Sequence, residues 1–291
     1  MKTLFETSLS LPLIQKGKVR DIYDIDETRM LIVTTDRLSA FDVVFDDPIS
    51  GKGQVLTEVA DFWFAKTQKI IPNHLTNEPL DGVLNAEEIT QVGNRAIIVK
   101  KLKPLPIEAI VRGYLIGSGW KDYRASGKVC GLKLPDNLQL AQKLPEALYT
   151  PSNKAAVGEH DENIDFSQTV KIVGADLAQQ IKQVSLALYN FASDYALAKG
   201  IIIADTKFEF GLDEHNKLTL MDEVLTPDSS RFWSKSDYQI GSSPKSFDKQ
   251  IIRDYLETLD WNKRPPAPTL PVDILQKTAD KYWEVANILK G

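Results

Sequence analysis

Apolar and polar side chains alternate most regularly between residues 201 and 212, a stretch that opens with three consecutive isoleucines. The two alternating sets that follow are Asp205, Lys207 and Glu209 against Thr206, Phe208 and Phe210. Successive side chains of a strand point to opposite faces of its sheet. The pattern therefore predicts a strand that begins in a core and carries three ionisable groups on one face, with two aromatic rings on the other.

A second strand is predicted to return along the first. Residues 211–217 have turn character, and residues 218–221 then lead into Asp222 and Glu223. The hairpin register is open, so either carboxylate can lie beside Glu209. Carboxylates on adjacent strands around a lysine are typical of a Mg²⁺ site with a phosphate contact. A solvated edge strand with an ion pair is the alternative, and the opening isoleucines argue against it.

Residues 13–45 predict an antiparallel meander with a basic turn. Gly17 precedes Lys18 and Arg20, which lie two residues apart and so share a strand face. Such a turn can lie over the phosphates of a nucleotide, but an exposed basic edge strand has the same pattern. The glycine spacing matches neither a P-loop nor a dinucleotide fingerprint.

Helical spacing of apolar residues recurs four times. The predicted helices cover residues 55–66, 176–198, 247–259 and 275–289. In the second of these, Asp176 and Gln179 predict a capping box, and Gly200 predicts the end of the helix. This helix leads directly into the strand at residue 201, so we expect it to pack behind that strand.

A strongly apolar predicted strand after Pro106 carries Glu108 and Arg112 on one face. A charge pair inside such a strand is either a buried ion pair or a ligand contact, and the pattern leaves both open. Gly117, Ser118 and Gly119 follow, and their N–H groups and hydroxyl can bind a phosphate. Over residues 121–150 we expect a polar, loop-rich stretch.

Composition limits the class of protein. The chain has 291 residues, 43% hydrophobic and 26% charged, and a net charge of −5. These values are ordinary for a globular protein and argue against a general nucleic-acid or membrane binder, so we expect neither partner. No run approaches the roughly 18 apolar residues that span a bilayer.

Cysteine and histidine chemistry is also limited. Cys130, the only cysteine, excludes an internal disulfide, suits a reducing cytoplasm, and is interpreted as a structural thiol. His74, His160 and His215 lack metal-ligand spacing, and we expect His74 and His215 in exposed loops. His160 lies in a charged loop formed by residues 152–154 and 158–163, which is longer than its connection requires and is either functional or merely solvated.

Two segments carry a family resemblance: residues 105–112 with Gly117 and Ser118, and residues 203–211. Residues 17–21, 158–163 and 222–231 support it. On these motifs the chain resembles the SAICAR synthetases over nearly its whole length. The resemblance implies ATP-dependent joining of L-aspartate to the carboxylate of CAIR, 5-amino-1-(5-phospho-D-ribosyl)imidazole-4-carboxylate, with Mg²⁺, in purine biosynthesis.

The resemblance also implies a two-lobed α+β fold similar to kinases and ATP-grasp proteins. Residues 1–103 would form a mostly antiparallel, ATP-binding N-terminal lobe. Residues 104–264 would form an α/β lobe with the substrate and metal sites. Residues 265–291 would form a proline-rich linker and a docked C-terminal helix. The sequence does not decide whether the protein is a monomer or a homo-oligomer.

Each motif residue receives an implied role. The ATP contacts would be Gly17, Lys18, Val19 and Arg20 at the phosphates, and the segment from Lys101 to Lys103 at the adenine. Lys207 would contact phosphate and act in catalysis with Asp205, and Glu209 and Asp222 would hold Mg²⁺ beside ATP. The substrate contacts would be Arg112, Ser118, Asp205, Arg231 and His160.

A kinase of similar lobed fold and an ATP-sensing binding module are the alternatives. The glycine-rich loop and the His-Arg-Asp catalytic loop expected of a protein kinase are missing from the sequence. ADP release that depends on both CAIR and aspartate would separate the three possibilities.

Overall fold

A computed structural model describes residues 3–154 and 162–291. The chain forms two compact units. The first unit comprises the residues up to Trp63, His74–Lys101 and Phe247–Gly291, and the second comprises Phe64–Asn73 and Leu102–Ser246. His160 and most of the predicted loop 158–163 lie outside the described residues.

The described chain contains runs of strands separated by helices. The first elements are β1 (Leu13–Lys16), β2 (Arg20–Asp24), β3 (Arg29–Thr34), β4 (Leu38–Ala40), β5 (Val43–Phe45), α1 (Lys52–Thr67), α2 (Ala86–Val92), β6 (Ala96–Lys100), β7 (Lys103–Pro104), β8 (Ile107–Tyr114), α3 (Gly117–Ser126), β9 (Lys128–Val129) and β10 (Leu132–Lys133). The later elements are β11 (Lys143–Tyr149), β12 (Ser152–Asn153), β13 (Glu162–Asn163), α4 (Phe166–Val173), α5 (Ala175–Ala198), β14 (Ile201–Leu212), β15 (Leu218–Met221), β16 (Ser230–Ser234), α6 (Gln250–Glu257) and α7 (Val272–Lys290). None of these helices combines the length and the apolar character that a membrane crossing needs.

The first unit is built on an antiparallel sheet with strand order β1-β2-β3-β6. Alternate residues of its strands, among them Tyr23, Leu31, Val33 and Ile98, are buried in one apolar cluster. The edge strand β1 is exposed along its whole length. The predicted antiparallel meander of residues 13–45 is confirmed for β1 to β3, whereas β4 and β5 pair with each other in a separate two-stranded sheet. Lys18 lies in the turn between β1 and β2, and Arg20 begins β2.

Helices α6 and α7 also belong to the first unit. Ile252 and Leu256 of α6 share an apolar cluster with Leu38 and Phe45 of the β4–β5 hairpin. The units therefore differ from the predicted division, which placed residues 247–264 in the middle lobe. The apolar face of α6 predicts that the helix packs against the protein, but the sequence pattern does not show which sheet it contacts.

Strand β14 is central to the second unit. It pairs antiparallel with β8 and β16 and, toward its end, with β7 and β15, in a sheet that also contains β11, β12 and β13. The predicted hairpin is confirmed, with its turn between Leu212 and Leu218. Helix α5 packs on this sheet as expected, and its Tyr189 hydroxyl donates to the Ile203 carbonyl at 2.7 Å. The observed architecture is the predicted α+β class.

Two predictions about helices need correction. Helix α5 begins after Gly174, which has no side chain to cap it, so the predicted capping box of Asp176 and Gln179 is wrong. The stretch 121–150, expected to be loop-rich, contains the second half of helix α3 and strand β11 instead. The glycines and serines of α3 are weak helix formers, and the surrounding fold outweighs that preference.

His74 is fully buried, so the expectation of an exposed loop residue is wrong. Its carbonyl accepts a hydrogen bond from the Lys100 N–H at 2.8 Å, which ties the segment to β6. Burial lowers the pKa of His74 from 6.5 to about 3, and the nearby Arg20 adds to the shift. His215 is exposed in the turn between β14 and β15, as expected.

We expect the free energy of unfolding to fall as the pH drops below about 6.5, because the unfolded chain binds a proton at residue 74 that the folded chain excludes. This contribution is about 1.4 kcal/mol per pH unit and continues down to a pH of about 3. In urea unfolding at several pH values, His74→Gln should flatten the profile, whereas the control His215→Gln should not. An unchanged slope in His74→Gln would contradict the assignment.

Candidate functional site

One face of β14 carries the charged residues that the alternation predicts. Asp205, Lys207 and Glu209 all form ion pairs there. The strand register sets Asp205 opposite Arg112, so the charged residues of β8 share this face. The charges of the two strands meet in two groups, one around Asp205 and one around Lys207.

Asp205 holds two arginine side chains. Nη1 of Arg112 donates to Asp205 Oδ2 at 2.7 Å, and Nη1 of Arg231 donates to the same oxygen at 2.5 Å. Arg112 and Asp205 are buried, whereas the side chain of Arg231 is 25% exposed. Burial lowers the pKa of Arg112, with Asp205 opposing the shift and Arg231 adding to it. Asp205 thus holds two guanidinium groups close together, and their N–H groups suit an anionic ligand.

The first turn of α3 lies against both arginines. A Cβ atom at Gly117 would lie 2.7 Å from Arg231 Nη2, and one at Gly119 would lie 3.0 Å from Arg112 Cδ. Nη2 of Arg112 also donates to Ser118 Oγ at 2.8 Å. The residue before the helix is an isoleucine, so no side-chain oxygen caps it. Arginines, a hydroxyl and a helix N-terminus together are the groups expected at a phosphate site.

Lys207 lies between two carboxylates. Its Nζ donates to Glu108 Oε1 at 2.6 Å and to Glu209 Oε1 at 2.8 Å, and Glu209 also pairs with Lys154. Burial opposes the charge of Lys207, but three surrounding carboxylates, including Asp222, raise its pKa above the usual value. Burial also opposes the charge of Glu209, and the two lysines nevertheless lower its pKa to about 2. Lys207 and Glu209 are therefore both ionised at neutral pH.

Glu209 and Asp222 fit the requirements of a magnesium site. Glu209 lies opposite the last residue of β15, and Asp222 follows that residue. The charge of Asp222 acts on Lys207, whereas the carboxylate of Glu223 accepts a hydrogen bond from Thr226. Within residues 3–154 and 162–291, no three His, Cys, Asp or Glu side chains group to hold a metal alone. Magnesium that also binds phosphate and water needs only one or two carboxylates.

The turn between β1 and β2 is held by buried side chains of the first unit. Arg37 donates to the carbonyl of Gly17 at 2.9 Å and to that of Lys18 at 3.2 Å. The hydroxyl of Thr35 donates to the carbonyl of Val19 at 2.8 Å. Three consecutive carbonyls of the turn are engaged in this way, which fixes its backbone.

Two basic residues predicted to bind ATP have their own carboxylate partners within the first unit. Lys18 pairs with Asp42 at 2.5 Å on the surface, and Lys101 pairs with Asp24. Lys103 is exposed in β7, in the second unit. An incoming anion therefore has to compete with carboxylates for Lys18 and Lys101.

Sequence reasoning assigned no individual contact to three residues that the structure places beside these charges, although two of them lie in the predicted charged loop. Thr150 Oγ1 accepts from Arg112 Nε at 3.1 Å, and Ser152 Oγ donates to Glu108 Oε2 at 3.2 Å. Lys154, two residues after Ser152, forms an ion pair with Glu209. All three lie at or after the end of β11, where alternation is too short to predict which side chains point toward β8.

The geometry defines a class of protein. An arginine pair for a phosphate, and a lysine among carboxylates on the same strand face, are expected of α+β enzymes that bind phosphorylated ligands with a divalent metal.

Comparisons with known proteins identify the family. The family described as SAICAR synthetase matches residues 13–268. A phosphoribosylaminoimidazole-succinocarboxamide synthase of Methylococcus capsulatus is 60% identical over 292 residues, which cover 100% of this chain and 98% of that protein. The chain therefore belongs to the SAICAR synthetase family.

Solved structures agree with this assignment. A SAICAR synthase from Saccharomyces cerevisiae, complexed with SAICAR, is 43% identical with a TM-score of 0.90 and covers 99% of this chain and 98% of its own. A SAICAR synthetase in complex with ADP, 24% identical with a TM-score of 0.68 over 94% of this chain and 96% of its own, shares the fold.

Cys130 lies near Arg112, but its thiol is not activated as a nucleophile. Its Sγ lies 3.9 Å from the Pro151 carbonyl oxygen. Burial raises the pKa of the thiol to about 11, and the charge of Arg112 only partly opposes the shift. These features match a structural thiol.

We expect Cys130 to react slowly with iodoacetamide, because the thiolate is the reactive form. At pH 8 the folded protein should react about a hundredfold more slowly than the chain in denaturant, whose thiol keeps the usual pKa of 9.0. The rate, followed by mass spectrometry, should rise about tenfold per pH unit between about pH 8 and 10. A plateau near pH 9 would mean that the thiol is not shielded.

Proposed function

We propose that this protein is an ATP-dependent ligase that joins L-aspartate to the carboxylate of CAIR, giving SAICAR, ADP and phosphate in de novo purine biosynthesis. Relatives named for this synthase match nearly the whole chain, which supports the reaction. The observation that carries the proposal is the polar face of β14, with an arginine pair at one position and a lysine among carboxylates farther along.

ATP supplies the activation that amide formation in water requires. In the first proposed step an oxygen of the CAIR carboxylate attacks the γ-phosphorus of ATP, and ADP leaves with the bonding electrons. In the second step the amine of aspartate attacks the acyl carbon and loses a proton, and inorganic phosphate leaves. Mg²⁺, when bound, neutralises charge on the phosphate oxygens. Positioning and charge stabilisation are then the main tasks of the protein.

The arginine group is assigned to CAIR. In this proposal Arg112, Arg231 and Ser118 bind its phosphate, and Asp205 holds the two arginines beside it. The two guanidinium groups share Asp205, and a phosphate would offer both of them further acceptor oxygens. A contact of His160 with substrate stays a prediction from the resemblance.

The lysine group is assigned to the reacting end. Lys207 binds the phosphoryl group that is transferred, and Glu209 and Asp222 hold Mg²⁺. Lys154 and Lys207 both pair with Glu209 in the structure, so a cation already balances this carboxylate before metal binds. Metal binding at Glu209 then has to displace or share these ammonium contacts.

The ATP end is assigned to the predicted N-terminal lobe of residues 1–103. Its proposed phosphate contacts are Gly17, Lys18, Val19 and Arg20, and the adenine lies along the segment from Lys101 to Lys103. The engaged carbonyls of the Gly17 turn support this assignment, because a fixed backbone can hold N–H groups ready for phosphate oxygens. We also propose a cytoplasmic location, which suits a chain with one cysteine.

One assay decides the proposal. Purified protein is mixed with ATP, Mg²⁺, L-aspartate and CAIR, and mass spectrometry identifies a succinocarboxamide product. Continuous ADP release should require both CAIR and aspartate, because without aspartate the first step stops after a single turnover. Continuous ADP release from CAIR without aspartate would indicate a kinase, and ATP binding without turnover would indicate a sensing module.

We expect Glu209→Gln and Asp222→Asn each to lower kcat by about a hundredfold, because each removes a magnesium ligand worth about 3 kcal/mol in the transition state. Glu223→Gln is the matched control, since its carboxylate bonds Thr226, and it should stay near wild type. Unimpaired turnover of both variants at saturating Mg²⁺ would rule out the metal assignment.

Arg112→Lys and Arg231→Lys should each weaken CAIR about ten- to a hundredfold, because lysine cannot reproduce a bidentate contact worth about 1.5–3 kcal/mol. The dissociation constant of ATP–Mg²⁺ should stay nearly unchanged. Calorimetry with each ligand separates the two effects. Arg253→Lys, which alters an arginine paired with Asp248, is the control. Equal weakening of ATP and CAIR would place that arginine at the nucleotide end.

A further inference from the structure

All three nitrogens of the Arg112 guanidinium have side-chain partners. Nε donates to Thr150 Oγ1 at 3.1 Å, Nη1 to Asp205 Oδ2 at 2.7 Å, and Nη2 to Ser118 Oγ at 2.8 Å. A guanidinium has five N–H donors. Among the contacts within the described residues, one N–H on each Nη therefore stays available for a ligand.

The position of Thr150 is fixed by contacts that do not involve Arg112. It is fully buried, its N–H donates to the Ile110 carbonyl at 2.8 Å, and its Oγ1 lies 3.4 Å from the same carbonyl oxygen. The hydroxyl proton has an acceptor there, which leaves the lone pairs of Oγ1 for Arg112 Nε. Thr150 directly follows Tyr149, which pairs with Val111 of β8, so the strand register carries the hydroxyl to this position.

The bond at Nε differs from the bonds at the Nη atoms. Nε lies on the axis about which the guanidinium plane turns, so a partner at Nε restrains the orientation of the whole plane. Gly119 confines the same part of the side chain, because a Cβ atom there would lie 3.0 Å from Arg112 Cδ and 3.1 Å from Nε. The plane of Arg112 is thus set by Thr150 and by the backbone of α3 together.

We infer that Thr150 is a positioning residue for the substrate phosphate, acting through Arg112. By holding Nε, its hydroxyl keeps the two remaining N–H groups of Arg112 in one orientation, ready for a bidentate phosphate contact. The inference rests on the proposed function, since it takes Arg112 as a ligand of the CAIR phosphate. Its effect should therefore fall on CAIR and not on ATP.

Thr150→Val keeps the shape of the side chain and removes the hydroxyl. We expect the KM for CAIR to rise about tenfold, while kcat and the KM for ATP stay within about twofold. Thr150→Ser keeps the hydroxyl and should return the KM for CAIR to within about threefold of wild type. Thr278→Val is the matched control, because Thr278 is equally buried in α7 and its hydroxyl donates to the Ile274 carbonyl.

A double-mutant cycle tests whether Thr150 acts through Arg112. Lysine at position 112 has no Nε–H, so in the Arg112→Lys background Thr150→Val should change the KM for CAIR by less than about twofold. A full tenfold effect in that background would overturn the inference, and so would an unchanged KM in Thr150→Val alone. If Thr150→Val does not fold by circular dichroism, Thr150→Ala takes its place in the same cycle and the same outcomes decide.

The two proposals fail in different ways. Wild-type protein that forms no SAICAR refutes the proposed function, whatever the variants do. Wild-type protein that forms SAICAR, together with a Thr150→Val variant of unchanged KM for CAIR, refutes only the role of Thr150.

Discussion

The functional face depends on one carboxylate that two arginines share. Two guanidinium groups this close would repel each other in a largely buried place, where charges are poorly screened. Asp205 offsets that repulsion with an oxygen that lies within 2.7 Å of Arg112 and 2.5 Å of Arg231. Asp205 thus holds the two arginines together on one face, where their N–H groups can donate to an anion.

The apolar side of β14 determines where this charged face lies. Phe208 and Phe210 are buried, and a slip of one residue in register would exchange them with the charged set. Burying two phenylalanines therefore fixes the side of the sheet on which Lys207 and Glu209 stand. The polar face is a consequence of core packing as much as of its own ion pairs.

Local patterns predicted the features that depend on one strand or helix. Period-two alternation placed Asp205, Lys207 and Glu209 on one face, since this property belongs to a single strand. The choice between Asp222 and Glu223 could not be made, because it depends on the hairpin register and on the contact of Glu223 with Thr226.

Features that depend on tertiary neighbours were not predictable. Thr150 and Lys154 gain their importance from β8 and β14, which are far away in sequence. Helix α3 forms from residues with weak helix preference, and His74 is buried although it follows a polar turn sequence. In each case the deciding interaction lies outside the window in which a pattern can be seen.

Strand β14 also sets the distance between the two charged groups of the site. Asp205 and Lys207 are two residues apart, which is about 7 Å at the rise of an extended strand. Both residues lie on one hydrogen-bonded strand, which fixes the distance between their backbones. Under the proposed function, a molecule that engages the arginines through a phosphate and reacts beside Lys207 has to bridge that distance, as a ribose joined to an imidazole can. The spacing of two strand residues would then act on ligand length as well as on ligand charge.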